Sequence, residues 1–221
     1  MSKESLRHGD TTTSTYIDPG ATTTEAYEIS KKSRTLARQV VGNASPEDRV
    51  RQRCSVAVGD FSMADLLRFE HHPVPAIIRA LHGGAPIITD IRMVQVGIQK
   101  KGHDGEVLCA LDFGGEIARE RQITRSSAGF IALREKLPGS LVVIGNAPSA
   151  LLTVCGMIQE GYRPAAVIGT PVGFVNAAES KALVRTLDIP SISTEGTRGG
   201  TPVAVAAANE CITILIEGTV V

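Results

Sequence analysis

Three features of the 221-residue sequence predict an α/β fold, a single doubly wound domain with a mostly parallel sheet and helices on both faces. Short apolar runs such as Leu141-Val142-Val143-Ile144 and Ala165-Ala166-Val167-Ile168 show no polar alternation, the pattern of strands buried on both sides. Each run ends at a glycine (Gly145, Gly169) and gives way to a proline-containing turn and an Ala-rich helix. Finally, 43% hydrophobic residues against 21% charged ones supply enough apolar material for a sizeable core and exclude disorder as the dominant state.

Taken in order, the chain opens with a polar segment. Seven of the fourteen residues from Thr11 to Thr24 are threonine, and Asp18-Pro19-Gly20 supplies a turn, so residues 1–24 are expected to form an arm outside the domain at 25–221. Glu25 to Val41 reads as a helix stopped by Gly42-Asn43. Ser45-Pro46-Glu47-Asp48 starts the next one, with serine at the cap, proline in the first position and acids in the first turn. Pro75 to Leu81 is a third helix, ended by Gly83-Gly84 with His82 beside its last carbonyls. His71-His72, ahead of Pro73, reads as an exposed polar pair in a loop or helix start. Strands are expected at Pro86–Thr89, Glu106–Leu111, Leu141–Ile144, Ala165–Ile168 and Ile189–Thr194, and further helices at Arg125–Glu135 and Thr201–Cys211.

Composition narrows the function. Lys plus Arg and Asp plus Glu both number 23, so neither a nucleic-acid binder nor a membrane-surface protein is indicated. Eight aromatic residues, none of them Trp, are few for stacking on single-stranded bases. No apolar stretch reaches the roughly 18 residues of a membrane span. Cys54, Cys109, Cys155 and Cys211 lie at least 46 residues apart, which gives no metal knuckle or redox pair and suits reduced, buried thiols in the cytoplasm. No metal and no cofactor are expected.

Three glycine turns point to a ligand. Gly145-Asn146-Ala147-Pro148, the segment Gly169 to Gly173, and Arg198-Gly199-Gly200 all fall where strands end, the edge at which open parallel sheets collect ligands. Glycine lets backbone approach a ligand, and the following helices would offer N–H groups to an anion. Asn146, Gly173 and Arg198 are the candidates here, for a ligand with several carboxylates. Neither dinucleotide nor P-loop fingerprints occur. Any one of these glycines is equally consistent with a tight turn alone.

A family resemblance enters at Gly83-Gly84-Ala85-Pro86-Ile87-Ile88-Thr89-Asp90 and Met93-Val94, and continues through Thr124-Arg125-Ser126 and Val143 to Pro148. It takes in Pro171-Val172-Gly173-Phe174-Val175, Ala177-Ala178-Glu179-Ser180-Lys181 and Arg198-Gly199-Gly200, with Gly59-Asp60-Phe61 and Ala64-Asp65-Leu66 upstream. Over roughly residues 25–211 the chain resembles the precorrin-8X methylmutases of cobalamin biosynthesis. The resemblance implies a cofactor-free isomerase that moves a methyl group between neighbouring carbons of ring C in a corrinoid precursor. It also implies a homodimer with the tetrapyrrole substrate held near the subunit interface. By position, Ser30 matches the family's N-terminal substrate-contacting serine, Arg53 an arginine that contacts substrate, and Arg125 the Thr-Arg-Ser arginine of the site. Guanidinium groups suit bidentate contact with acetate and propionate side chains.

At one position the chain departs from that pattern. The family's proton-transferring histidine sits three residues after the arginine matched by Arg53, and here that slot holds Val56. Its neighbours Ser55 and Cys54 project about 100° and 200° away on an ideal helix, and no other residue is evident as the acid, so the catalytic group is left unassigned. Three readings stay open: an active methylmutase relying on binding and electrostatics, a paralogue that binds or carries a corrinoid or other tetrapyrrole, and an enzyme acting on a different modified tetrapyrrole.

Overall fold

A computed structural model describes residues 23–218, so the Thr-rich arm expected over 1–24 lies outside the described residues except for Thr23 and Thr24. Thr23 caps helix α1 (Thr24–Val41), its hydroxyl accepting the Ala26 N–H at 3.2 Å. Helix α2 (Pro46–Val58) starts at the expected serine. Ser45 Oγ accepts the Asp48 N–H at 3.2 Å, while Asp48 Oδ2 accepts the Ser45 N–H at 3.3 Å. Gly59, with φ +66°, closes α2 in the left-handed region.

A short helix α3 (Met63–Leu66) leads into strand β1 (Leu67–Glu70). Then come α4 (Pro73–His82), β2 (Ile87–Thr89), α5 (Arg92–Gly97), β3 (Val107–Cys109), α6 (Gly115–Arg121) and α7 (Arg125–Ala132). The chain finishes with β4 (Leu141–Ile144), α8 (Pro148–Gln159), β5 (Ala166–Gly169), α9 (Ala177–Thr186), β6 (Ser191–Thr194) and α10 (Thr201–Ile216).

The strands form one six-stranded sheet in the order β1-β6-β5-β4-β2-β3, parallel throughout except for β1, which pairs antiparallel with β6. Alternate residues of each strand enter opposite cores. Ile87, Leu141, Val143, Ala166 and Ile168 face a core closed by α2, α4, α5 and α10. Ile88, Val142, Ile144 and Val167 face one closed by α7 and α8 with Val184 of α9. Burial on both faces is why these strands carry no polar alternation. The expected doubly wound α/β architecture is thus the one observed. His71 and His72 both adopt positive φ (56° and 53°) and are exposed at the start of α4, and His82 is the last residue of α4.

Several boundaries differ from the sequence reading. The strand expected over 106–111 is only Val107–Cys109, because its one partner, β2, is three residues long; Ala110–Asp112 turns into a 3-10 helix. Helix α7 stops at Ala132 and a separate 3-10 turn follows at Arg134–Lys136, whereas α10 runs on to Ile216, with Ile212 and Ile214 buried. Helices α3, α5 and α6 and strand β1 are additions. Between β2 and β4 the strand order reverses, since β3 lies beyond β2 and the later strands add on the other side. Such a switch point is where open α/β sheets form a ligand crevice.

Candidate functional site

At that switch point the carboxylate of Asp90, directly after β2, accepts three backbone N–H groups: from Gly145 at 3.2 Å and from Asn146 and Ala147 at 2.8 Å each. Asp90 has no exposed surface. Burial pushes its carboxyl above the ordinary range, and the three N–H donors oppose that shift. These amides are the ones expected to stay open for a ligand anion at the start of α8. That expectation is corrected here: Asp90 fills the position from inside the fold, and the Asn146 side chain alone is left exposed.

The other two turns meet at the same edge. The Gly200 N–H donates to the Thr170 carbonyl at 2.6 Å, and the Gly173 N–H to the Thr197 carbonyl at 3.1 Å. Gly199, with φ +154°, lies so close that a Cβ there would overlap the Thr170 carbonyl oxygen. Gly173, with φ +147°, lies within a segment whose Val172, Phe174 and Val175 side chains are exposed. The Arg198 guanidinium is engaged by the protein itself. It pairs with the Asp60 carboxylate and donates to Ser62 Oγ at 3.0 Å. Hydrogen bonds from Ser62 and then the Arg198 charge hold the Asp60 carboxyl below its ordinary range.

Ser30 and Arg53 lie together. With Ser33 and Arg34 of α1 and Val56 and Ala57 of α2, they line a cleft of about 320 Å³. Arg53, Val56 and Ala57 share one face of α2 at helical spacing, whereas Val50 and Cys54 face the core. Cys54 Sγ reaches the Val203 carbonyl at 3.5 Å, and Ser55 is buried, so neither enters the cleft. The cleft wall is fixed by the fully buried Glu210 of α10, which accepts from Arg34 Nη2 at 2.5 Å and from Arg49 Nε at 2.8 Å. Arg34 and Ser33 are cleft residues that sequence reasoning missed; their i+4 and i+3 spacing from Ser30 is the signal that would have found them. Among the described lining residues there is no carboxylate, imidazole, thiol or amine.

Arg125 stands elsewhere. It opens α7 beside a cavity of about 720 Å³ shared with Glu116, Arg119 and Gln122, and its Nη2 donates to the Leu111 carbonyl at 2.8 Å. The Thr124 cap ties this corner to α8 through Ser149 Oγ at 2.8 Å. The two cavities share no lining residue. All four cysteines are buried and free, and burial pushes the Cys155 thiol up to about 12.

Fold and cleft together define an open, doubly wound α/β protein with an arginine- and serine-lined cleft outside its sheet. The chain belongs to the precorrin-8X methylmutase family, whose sequence model matches residues 28–214. It is 39% identical over 201 residues to the cobalt-precorrin-8 methylmutase of Methanothermobacter thermautotrophicus, covering 88% of this chain and 96% of that protein. It is also 36% identical over 190 residues to a cobalamin biosynthesis protein of Archaeoglobus fulgidus, a match that spans 86% of this chain but only 40% of the relative. A crystal structure of precorrin-8X methylmutase from Thermus thermophilus superposes with a TM-score of 0.81 at 35% identity, covering 88% of this chain and 98% of that one.

Proposed function

We propose that this protein binds a corrinoid precursor and acts as a methylmutase-type isomerase of cobalamin biosynthesis, moving a methyl group on ring C of precorrin-8 or its cobalt form. The observation that carries the reading is the cleft in which Ser30 and Arg53 stand side by side, in a chain of this family. A tetrapyrrole with several acetate and propionate arms matches guanidinium and hydroxyl donors better than an apolar pocket would. Holding the macrocycle rigidly lowers the barrier of an intramolecular shift.

The working unit in this reading is a homodimer with substrate near the subunit interface. Ile29, Leu36 and Val40 are exposed on α1, the helix that forms one wall of the cleft, and a second copy would cover them. Arg125, which lines a different cavity within one chain, would then contribute from the partner. Reduced, buried thiols suit a cytoplasmic setting, and no helix among the described residues is long and apolar enough to cross a membrane.

A second reading is favoured by the cleft's own chemistry. With Val56 in place and no titratable group near neutrality among the described lining residues, the protein would hold a corrinoid without turning it over. Anaerobic incubation with precorrin-8 or its cobalt form, followed by absorption spectroscopy, separates the two. A corrin spectrum that accumulates over many turnovers supports the isomerase, and a stoichiometric bound species supports the carrier. Absence of any spectral change refutes both. Arg53→Ala and Arg125→Ala should each weaken binding by about 1.5–3 kcal/mol, the range for hydrogen bonds to charged groups.

A further inference from the structure

Lys181, on α9, has no exposed surface. Its ammonium donates to two neutral acceptors, Thr194 Oγ1 at 3.1 Å and the Arg198 carbonyl at 2.7 Å. The charge that acts on it most is the like charge of Arg185, one turn along the same helix. A buried cation held only by neutral oxygens is costly. A methionine of similar length would fill the space without that cost, so the ammonium needs an account beyond packing.

What it holds is the turn between β6 and α10. The Arg198 carbonyl receives Lys181 Nζ and also the Thr194 hydroxyl at 2.7 Å. With its backbone fixed on this side, Arg198 projects its guanidinium the other way, onto Asp60 and Ser62. Those residues follow directly on Gly59, the C-cap of α2, and the Asp60 N–H donates back to the Ser55 carbonyl at 3.1 Å. A continuous hydrogen-bonded strap therefore runs from α9, over the carboxyl edge of the sheet, to the end of the helix that carries Arg53 and Val56.

We propose that Lys181 is a positioning residue: by fixing the Arg198 backbone it aims the guanidinium at Asp60, and so seats the end of α2, with Arg53 and Val56, against the sheet. The inference rests on the reading that the α1–α2 cleft takes the corrinoid. It adds a residue, on the opposite face of the sheet, that governs how well the cleft is formed.

The test uses the full-length protein, hydrogenobyrinic acid as the titrated ligand, and the variants Lys181→Met, Asp60→Asn and their combination. Each single change should lower affinity about tenfold, the size of one charge-assisted hydrogen bond. Because both cut the same strap, the double variant should also lose about tenfold rather than the hundredfold of independent sites. Amide hydrogen exchange should rise in residues 55–62 and 196–201 of Lys181→Met while staying unchanged in β4. Wild-type affinity in Lys181→Met, additive losses in the double variant, or exchange raised uniformly through the molecule would each overturn the proposal. A wild-type protein that binds no corrin acid would instead remove the functional reading, and exchange at 55–62 alone would then decide whether the strap acts. If Lys181→Met does not fold, Lys181→Leu, which likewise removes the donor, takes its place with the same expectations.

Discussion

Val56→His is the substitution that bears most directly on activity. Val56 is 37% exposed and opens into the cleft of about 320 Å³, so an imidazole can enter without displacing the core. Surface changes of this kind typically move stability by about 0.5 kcal/mol or less, which separates a change in rate from a change in folding. Arg53 lies one turn earlier on the same wall. An imidazole at position 56 could accept or donate a proton at the bound macrocycle near neutral pH. A positioned general acid or base contributes about 10²–10⁴ in rate, or about 2.7–5.5 kcal/mol of barrier. At least a tenfold gain in methylmutase turnover is the conservative expectation. Initial rates of corrin formation from precorrin-8, measured anaerobically for both proteins under identical conditions, provide the assay. Turnover with valine already at the level of the histidine variant would show that the imidazole is dispensable or replaced. No gain from histidine while ligand still binds would show that the cleft has diverged beyond this position, and the carrier reading would lead.

Asp90→Ala would leave three N–H groups, those of Gly145 and Ala147 buried, without an acceptor. The expected loss is about 3–5 kcal/mol, read from the urea midpoint at neutral pH; a loss below about 1 kcal/mol would mean that water or a neighbour satisfies these amides. Gly129→Ala places a methyl group on the Ala110 carbonyl where α7 crosses the 3-10 turn, an overpacking of about 1–3 kcal/mol that thermal melting would detect. Burial holds the Lys181 ammonium at about 8 against its ordinary 10.5, so the unfolded chain binds more protons between those values. The wild type should gain stability as pH rises through that window, and Lys181→Met should lack the slope; parallel profiles for the two proteins would refute the shift.

The central strands were legible because burial on both faces leaves an unbroken apolar signature, as in Leu141–Ile144. Strand β1 was not, because Leu67-Arg68-Phe69-Glu70 sits at the sheet edge and turns two charged side chains outward, which breaks the apolar run. The nearness of Ser30 to Arg53 depends on how α1 and α2 seat on α10. That seating is set by Glu210, a residue more than 150 positions further along the chain than Arg53. Family resemblance named both residues, but no local pattern joined them. Asp90 illustrates the same limit. A carboxylate just after a buried strand is visible in the sequence, but its partner amides come 55 to 57 residues later. From the sequence those amides read as open to a ligand.

The placement of Asp90 also bears on what this fold can recognise. In many doubly wound proteins the first amides of the helix beyond the switch point cradle a phosphate. Here they are saturated by a tethered side chain whose effective concentration a free anion at cellular levels does not match. The socket that would tempt nucleotides and inorganic phosphate is therefore closed to competitors. In the proposed reading, recognition falls to side chains such as Arg53, which can be spread across a surface. A ligand whose negative charges are dispersed around a wide ring would be well served by that exchange.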